Sequence, residues 1–467
     1  MSDVYVIHSS EDGEATRIIV EFLSSHWTIW WDDTLVGDFS TVIQEKMSCT
    51  KFVVAVLSAH AIKKETVIDE MRLAKEAGVT LLPVMLDASS PPYPYGGLSR
   101  VSLAEWDETE AHADFQKIIR KISSVVPRRV PPSRPMEVLR TSLSLPAVFL
   151  SVSSHETQLV PLEAIKVLRV FGAPAVLVSA YDLWAKRRPK AAASELNAIR
   201  EAGGVVIVDS GNYEASRRRS RNWTPQKFHE ALQGIPHDWA YCFDVMRPSQ
   251  SLKDAVTEVV DAVNRDSKAT GSMVLPIVHT FREPAGYDSR QLPEVVKLVA
   301  SELQPPLIAV AERELGRGLI ERADTVRKIR RSLDNLPFYQ PLHVLGTGNP
   351  WSIALLAAAG ADSFDGLEWC RMAFDHQMHR LNHYQHFDFF TFQTELSESA
   401  VALKALESKD IGYTGKVAFH NLEYYRRYAK DLRDYAHTNR MEAFIMKIMG
   451  DGATNQISVA LPGIFVR

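Results

Sequence analysis

Short apolar or β-branched runs alternate with helix-spaced stretches along almost the whole chain, and a proline-rich stretch after Ile122 interrupts them. In the first 125 residues the runs are Val4–Ile7, Thr28–Trp31, Phe52–Leu57 and Thr80–Leu86, and between them stretches such as Glu14–Ser24 keep helical spacing. Such alternation predicts an α/β domain, a parallel sheet wrapped by helices. After Ile122 the sequence becomes SSVVPRRVPPSRP, with four prolines in nine residues. Proline removes backbone donors and favours extended chain, so a linker is expected over 126–146, separating a domain at 1–125 from one at 147–467.

From Ala147 the alternation resumes, with strands expected at Val148–Val152, Ala175–Ser179, Val205–Asp209, Trp239–Phe243, Val274–His279, Leu307–Ala311, His343–Leu345 and Ser363–Leu367. Eight strand–helix units predict a (β/α)8 barrel. Polar residues fall where the strands end, at Asp209, Asp244, His279, Glu312 and Asp365, and strand ends form the working face of such a barrel. The stretch Asn421–Met449 reads as an amphipathic helical region packed on the barrel. A chain of 467 residues has room for both cores.

Composition narrows the classes of function. No apolar run is long enough to span a bilayer, and the opening MSDVYVIHSS lacks a basic n-region, so a cytoplasmic protein without a membrane partner is expected. Cys49, Cys242 and Cys370 lie too far apart for a metal or redox motif, and each is expected to be a small buried residue. With a formal charge of -4 any contact with nucleic acid needs a local patch, and Arg217, Arg218, Arg219 and Arg221 supply four positive charges in five positions.

The N-terminal segments carry a resemblance. The run Asp3-Val4-Tyr5-Val6-Ile7-His8-Ser9-Ser10-Glu11-Asp12, then Trp31-Asp32-Asp33 with Leu35-Val36-Gly37-Asp38, then Val53–Ser58 followed by Asp69-Glu70-Met71-Arg72-Leu73-Ala74, resembles the TIR domain in order and spacing. The resemblance implies a flavodoxin-like fold and, in NAD-cleaving members, a catalytic glutamate at Glu70. The residues agree with that placement. Val67, Met71, Ala74 and Gly78 share one helical face, and Glu70 lies about 60° from Val67, at the border of that stripe. Breaking the nicotinamide–ribose bond builds oxocarbenium charge, which a nearby carboxylate stabilises without any metal. His8 and Ser9 are expected at the lip of the NAD+ cleft. Thr66 stands where many such enzymes carry an aromatic residue, so the stacking face is assigned to Trp30, Trp31 or Phe39.

The C-terminal segments resemble the tRNA-guanine transglycosylase family. Ala175–Leu183, Val208-Asp209-Ser210-Gly211-Asn212-Tyr213, Phe243-Asp244, His343–Pro350, Phe364-Asp365 and Phe419-His420-Asn421-Leu422 carry the likeness. It implies Asp365 as nucleophile, Asp209 as acid/base partner, Tyr213 as a stacking surface and Asp244 as reader of a purine-like edge. Three departures accompany it. His279 replaces the base-reading glutamine, Ala311-Glu312-Arg313 replaces a Gly-Gly-Leu backbone reader, and no cysteine cluster follows Asp365, so no zinc is expected and the clamping subdomain is taken as lost or remodelled around Tyr384–Phe392. The two resemblances together imply a TIR NAD+ hydrolase in anti-phage defence, with NAD+ as substrate rather than cofactor. Its barrel would sense a nucleobase, nucleotide or nucleic acid, and activation would involve a homo-oligomer or a partner protein. The alternative is a base-exchange enzyme on tRNA or DNA whose TIR domain serves assembly.

Overall fold

The computed structural model describes residues 2–465 apart from 25, 32–39, 111, 129–131, 139–140, 155–156, 186–188, 221 and 285. The chain divides into two compact units, Met1–Pro132 and Ser133–Arg467.

The first unit is a five-stranded parallel sheet of β1 (Val4–Ile7), β2 (Ile29–Trp31), β3 (Phe52–Leu57), β4 (Thr80–Met85) and β5 (Val101–Ser102), in the order β2-β1-β3-β4-β5. Its helices are α1 (Gly13–Ser24), α2 (Ser40–Ser48), α3 (Glu65–Glu76) and α4 (Ala113–Ser123). The period of two along each strand sends alternate residues to opposite faces. Val4, Val6, Val54 and Val56 join the residues of α1 and α4 in one core, whereas Tyr5, Ile7, Val53, Ala55 and Leu57 join Val67, Met71 and Ala74 of α3 in the other. The sheet is therefore doubly wound. The edge strand β5 was not expected, because two residues give no periodicity to read.

The second unit is a closed parallel barrel. Its strands are β6 (Ala147–Val152), β7 (Ala175–Ser179), β8 (Val205–Asp209), β9 (Trp239–Tyr241), β10 (Met273–Leu275), β11 (Ile277–Val278), then β14 (Ile308–Ala311), β15 (Leu342–Leu345) and β16 (Ser363–Gly366), with a hairpin of β12 (Phe281–Glu283) and β13 (Gly286–Asp288) inserted between β11 and β14. The sheet runs β10-β9-β8-β7-β6-β16-β15-β14-β11, and its two terminal strands are halves of one segment broken at Pro276. Pro276 has no N–H to give, yet its carbonyl accepts from Ala309 at 3.0 Å, so the circle of eight closes through it.

The boundary between the units, at Pro132 and Ser133, falls within the expected linker 126–146, with Val126 packed in the first core and Val138, Leu143 and Leu145 in the barrel. Two expectations are corrected here. Cys49 is exposed, unlike Cys242 and Cys370. The C-terminal helical region begins earlier and is interrupted, as Tyr413–His437 and Met441–Met449, with Asn439 between them at φ 52°. Beyond β16 a second hairpin, β17 (Met372–Asp375) with β18 (Arg380–His383), leads into the 3-10 turns of Tyr384–Leu396.

One buried cluster fixes the point where the chain enters the barrel. Asp362, just before β16, is fully buried and accepts from Arg134 Nε at 2.7 Å, Arg330 Nη2 at 2.7 Å, Tyr339 Oη at 2.6 Å and the Leu342 N–H at 2.8 Å. Four donors satisfy one carboxylate, and two of them are cations.

Candidate functional site

In the N-terminal unit Glu70 stands on α3 above the buried Val67, Met71 and Ala74 and is itself only partly buried. Its Oε2 accepts from the Tyr5 hydroxyl of β1 at 2.9 Å, and the Tyr5 ring stacks on Trp30 of β2 with centroids 4.6 Å apart. This makes a continuous contact from β2 through β1 to the carboxylate. His8, directly after β1, lies ring to ring with Trp31 at 5.4 Å. Ser9 is buried and its hydroxyl donates to the carboxylate of Glu11, which also pairs with Lys64. The hydrogen bond from Lys64, then that from Ser9, holds the exposed Glu11 carboxyl down at about 2. Glu11 thus ties the turn after β1 to the chain just before α3, while the His8–Trp31 pair remains partly open. Phe39 lies outside the described residues. Tyr5 was not singled out from the sequence, although alternation along β1 assigns it to the face that α3 covers.

In the barrel the strand ends open into a cavity of about 440 Å³ that brings together Asp209, Tyr213, Asp244, His279 and Asp365 with Arg217. Asp365, at the end of β16, accepts from Ser151 Oγ at 2.6 Å and from the Gly346 N–H at 2.7 Å, and His343 Nε2 lies 3.2 Å away. Its carboxylate is oriented from three sides. Asp209 ends β8, where the turn that follows needs a glycine. Gly211 has φ 71°, and a Cβ there would sit 2.4 Å from that of Tyr181. Burial, then the charges of Glu214 and Asp244, pushes the Asp209 carboxyl well above its usual range. Burial and then Asp182 push Glu214 up to about 7.

Asp244 has both oxygens engaged, Oδ1 by Ser210 at 2.8 Å and Oδ2 by His279 Nε2 at 2.8 Å. The other ring nitrogen of His279 meets Glu314 at 3.0 Å. Burial drives the His279 imidazole down, but its bonds to Asp244 and Glu314 outweigh that and hold it at about 10. It is an imidazolium clamped between two carboxylates, one of which it keeps low against the effect of burial. Glu314 was not foreseen, because the pairing joins the ends of two different strands.

The replaced segment after β14 forms part of the cavity wall. Glu312 pairs with Arg322 at 2.9 Å, and the Arg313 guanidinium lies 4.2 Å from the centre of the Tyr213 ring. A cation therefore already covers a face of Tyr213. Glu368 is a further unforeseen acid. Burial raises its carboxyl, Oε2 has no hydrogen-bond partner, and a Cβ on Gly348 would meet that oxygen at 1.6 Å. Among the described residues of the basic run, Arg217 alone lines the cavity. Arg218 reaches Ser154 Oγ at 2.5 Å, Arg219 is exposed at φ 53°, and Arg221 lies outside the described residues.

Beside the cavity, hydrogen bonds tie the second hairpin to the long helix. Asn421 accepts from the Phe374 N–H at 3.1 Å and donates to the carbonyls of Trp369 and Met372, and the rings of His376 and His420 stack at 3.9 Å. Among the described residues no group of three or more His, Cys, Asp or Glu is placed to hold a metal ion. No helix among them is long and apolar enough to cross a membrane.

Residues 4–119 match the family model described as TIR domain. The chain is 22% identical over 248 residues to the tRNA-guanine(15) transglycosylase of Thermococcus onnurineus, covering 51% of this chain and 41% of that protein. It is 23% identical over 244 residues to that of Pyrococcus furiosus (51% and 40%) and 24% identical over 218 residues to that of Methanosarcina barkeri (45% and 43%). The chain thus spans less than half the length of the curated relatives it matches. Residues 4–119 are a TIR domain, and the C-terminal region resembles the tRNA-guanine transglycosylases.

Proposed function

We propose that the TIR domain hydrolyses the nicotinamide–ribose bond of NAD+ and that the barrel controls it by binding a nucleobase, nucleotide or nucleic acid, in a cytoplasmic defence protein that assembles with itself or a partner when active. The observation that carries the reading is Glu70, a carboxylate at the border of a buried helical face with the Tyr5 hydroxyl 2.9 Å away. As nicotinamide departs as a neutral base, Glu70 stabilises the cationic ribose, and water then adds at the same carbon and loses a proton. Trp31 and His8 offer flat surfaces for the ligand's rings.

For the barrel, a sensing role is supported by the replaced wall. Arg313 covers Tyr213, and Asp244 is committed to His279 and Ser210, so a base edge would meet Asp209 and Glu214 instead, whose carboxyls burial pushes up. A ligand that prefers the active state a hundredfold supplies about 2.7 kcal/mol of bias. Base exchange is the second reading. The oriented carboxylate of Asp365 near Asp209 favours it, since a retaining transfer needs one acid to attack and one to move the proton.

Purified protein incubated with NAD+, with and without RNA, DNA or cell extract, tests the first reading through nicotinamide release. No release under any of these conditions sinks it. Incorporation of labelled guanine into tRNA or DNA that vanishes in Asp365→Asn would establish the second.

A further inference from the structure

A second cavity, of about 350 Å³, lies beside the central one, between the hairpin β12–β13, the chain at residues 248–250 and the start of the helix Leu292–Leu303. Neither Glu70 nor the central cavity accounts for it. Its lining includes Thr280, Phe281, Glu283, Gln250 and Gln291, and His279 lines both cavities. Thr280 is 3% exposed and its Oγ1 has no hydrogen-bond partner, while its N–H is bonded to Glu314 at 2.9 Å. A buried hydroxyl left without a partner is destabilising, and a ligand bonded there would relieve that cost.

Charge and polarity select the kind of ligand. Asp288 holds Arg290 by two bonds of 2.8 and 2.6 Å, and Glu283 lies 3.6 Å from the same guanidinium. Counting the His279 imidazolium and the groups that flank it, the three cations Arg290, His279 and Arg313 answer four carboxylates, Asp288, Glu283, Asp244 and Glu314, so the surroundings keep a net negative charge that disfavours phosphate. The side-chain amides of Gln250 and Gln291 are exposed and have no hydrogen-bond partner among the described residues. Two amides that both donate and accept, a carboxylate that accepts and a hydroxyl that does either match neighbouring hydroxyl groups, and Phe281 offers an apolar surface beside them.

We propose that this cavity binds an uncharged, hydroxyl-rich small molecule, a sugar diol such as that of a pentose or nucleoside. Because Glu314 accepts from both His279 and Thr280, a ligand bonded to Thr280 acts on the carboxylate that also holds the wall of the central cavity. The proposal does not depend on NAD+ cleavage, which is read separately.

The test is saturation-transfer NMR and calorimetry on the full chain with ribose, glucose, adenosine and AMP as probes. Adenosine, ribose or both should bind saturably, and AMP should bind about tenfold more weakly than adenosine, which is about 1.4 kcal/mol. Binding only of glucose and ribose would assign a free sugar, and binding only of adenosine a nucleoside. Thr280→Val and, at an exposed position that does not risk the fold, Gln291→Ala should each weaken binding about five- to tenfold, whereas Val459→Ala, at an exposed position that lines neither cavity, should leave it unchanged. The proposal is overturned if none of the uncharged probes binds at millimolar concentration, if AMP binds as well as adenosine, or if neither Thr280→Val nor Gln291→Ala weakens binding.

Discussion

The two candidate sites hold their acids in opposite ways. Glu70 stands on the border of a helix with one phenol against it, whereas the barrel crowds Asp209, Glu214, Asp244, Asp365 and Glu368 around one cavity and answers them with His279 and arginines. An acid at a partly open border keeps its charge available for a substrate. Crowded buried acids compete for protons and for the same cations, so some become neutral and others are held ionised by a fixed partner. The first arrangement suits a charge that acts on a transition state, and the second a pocket that discriminates among ligands.

The largest test of that contrast is Glu70→Gln, which removes a charge and almost no volume. NAD+ cleavage should fall about a thousandfold, or about 4 kcal/mol, with the unfolding temperature unchanged. Nicotinamide release near the wild-type rate would assign the charge no role. On the barrel side Asp362→Ala should cost about 3 kcal/mol or more, since it strands Arg134 and Arg330 in the interior. Denaturant unfolding of the full chain should show the loss in the barrel transition.

A pH series probes the clamped histidine. Its folded pKa, about 10, lies above the ordinary 6.5, so the stability from its charged form is complete below about 6.5 and is lost as pH rises toward 10. Melting temperatures measured from pH 6.5 to 10 should fall, and His279→Gln should flatten that part of the decline. An equal slope in the variant would show that the imidazolium is not what titrates. The smallest effect is expected from Tyr5→Phe, which deletes one hydrogen bond to Glu70. A fall of about five- to tenfold in kcat with little change in KM corresponds to about 1 kcal/mol, and a change confined to KM would make Tyr5 a substrate contact instead.

Both sheets were legible because parallel strands buried on two faces write themselves as apolar runs, and Asp209, Asp244, His279 and Asp365 were legible because each closes such a run. What stayed hidden was pairing. His279 with Glu314, Arg313 with Tyr213 and Tyr5 with Glu70 join residues 35, 100 and 65 positions apart, distances over which spacing carries no signal. Glu368 follows a strand end by two positions on a short turn, where no periodicity exists to aim it. Pro276 was read through as one strand, since a break in the donor pattern does not disturb the apolar run.

The carboxylate of Asp362 also sets a mechanical boundary. Arg134 is the second residue of the barrel unit, so tension arriving along the backbone from the TIR domain meets an anchored side chain almost as soon as it enters. From that anchor the load path is the four-residue strand β16, whose third residue is Asp365. A short strand hydrogen-bonded on both sides resists stretching, so a displacement at either end is passed on as a shift of the whole strand rather than absorbed within it.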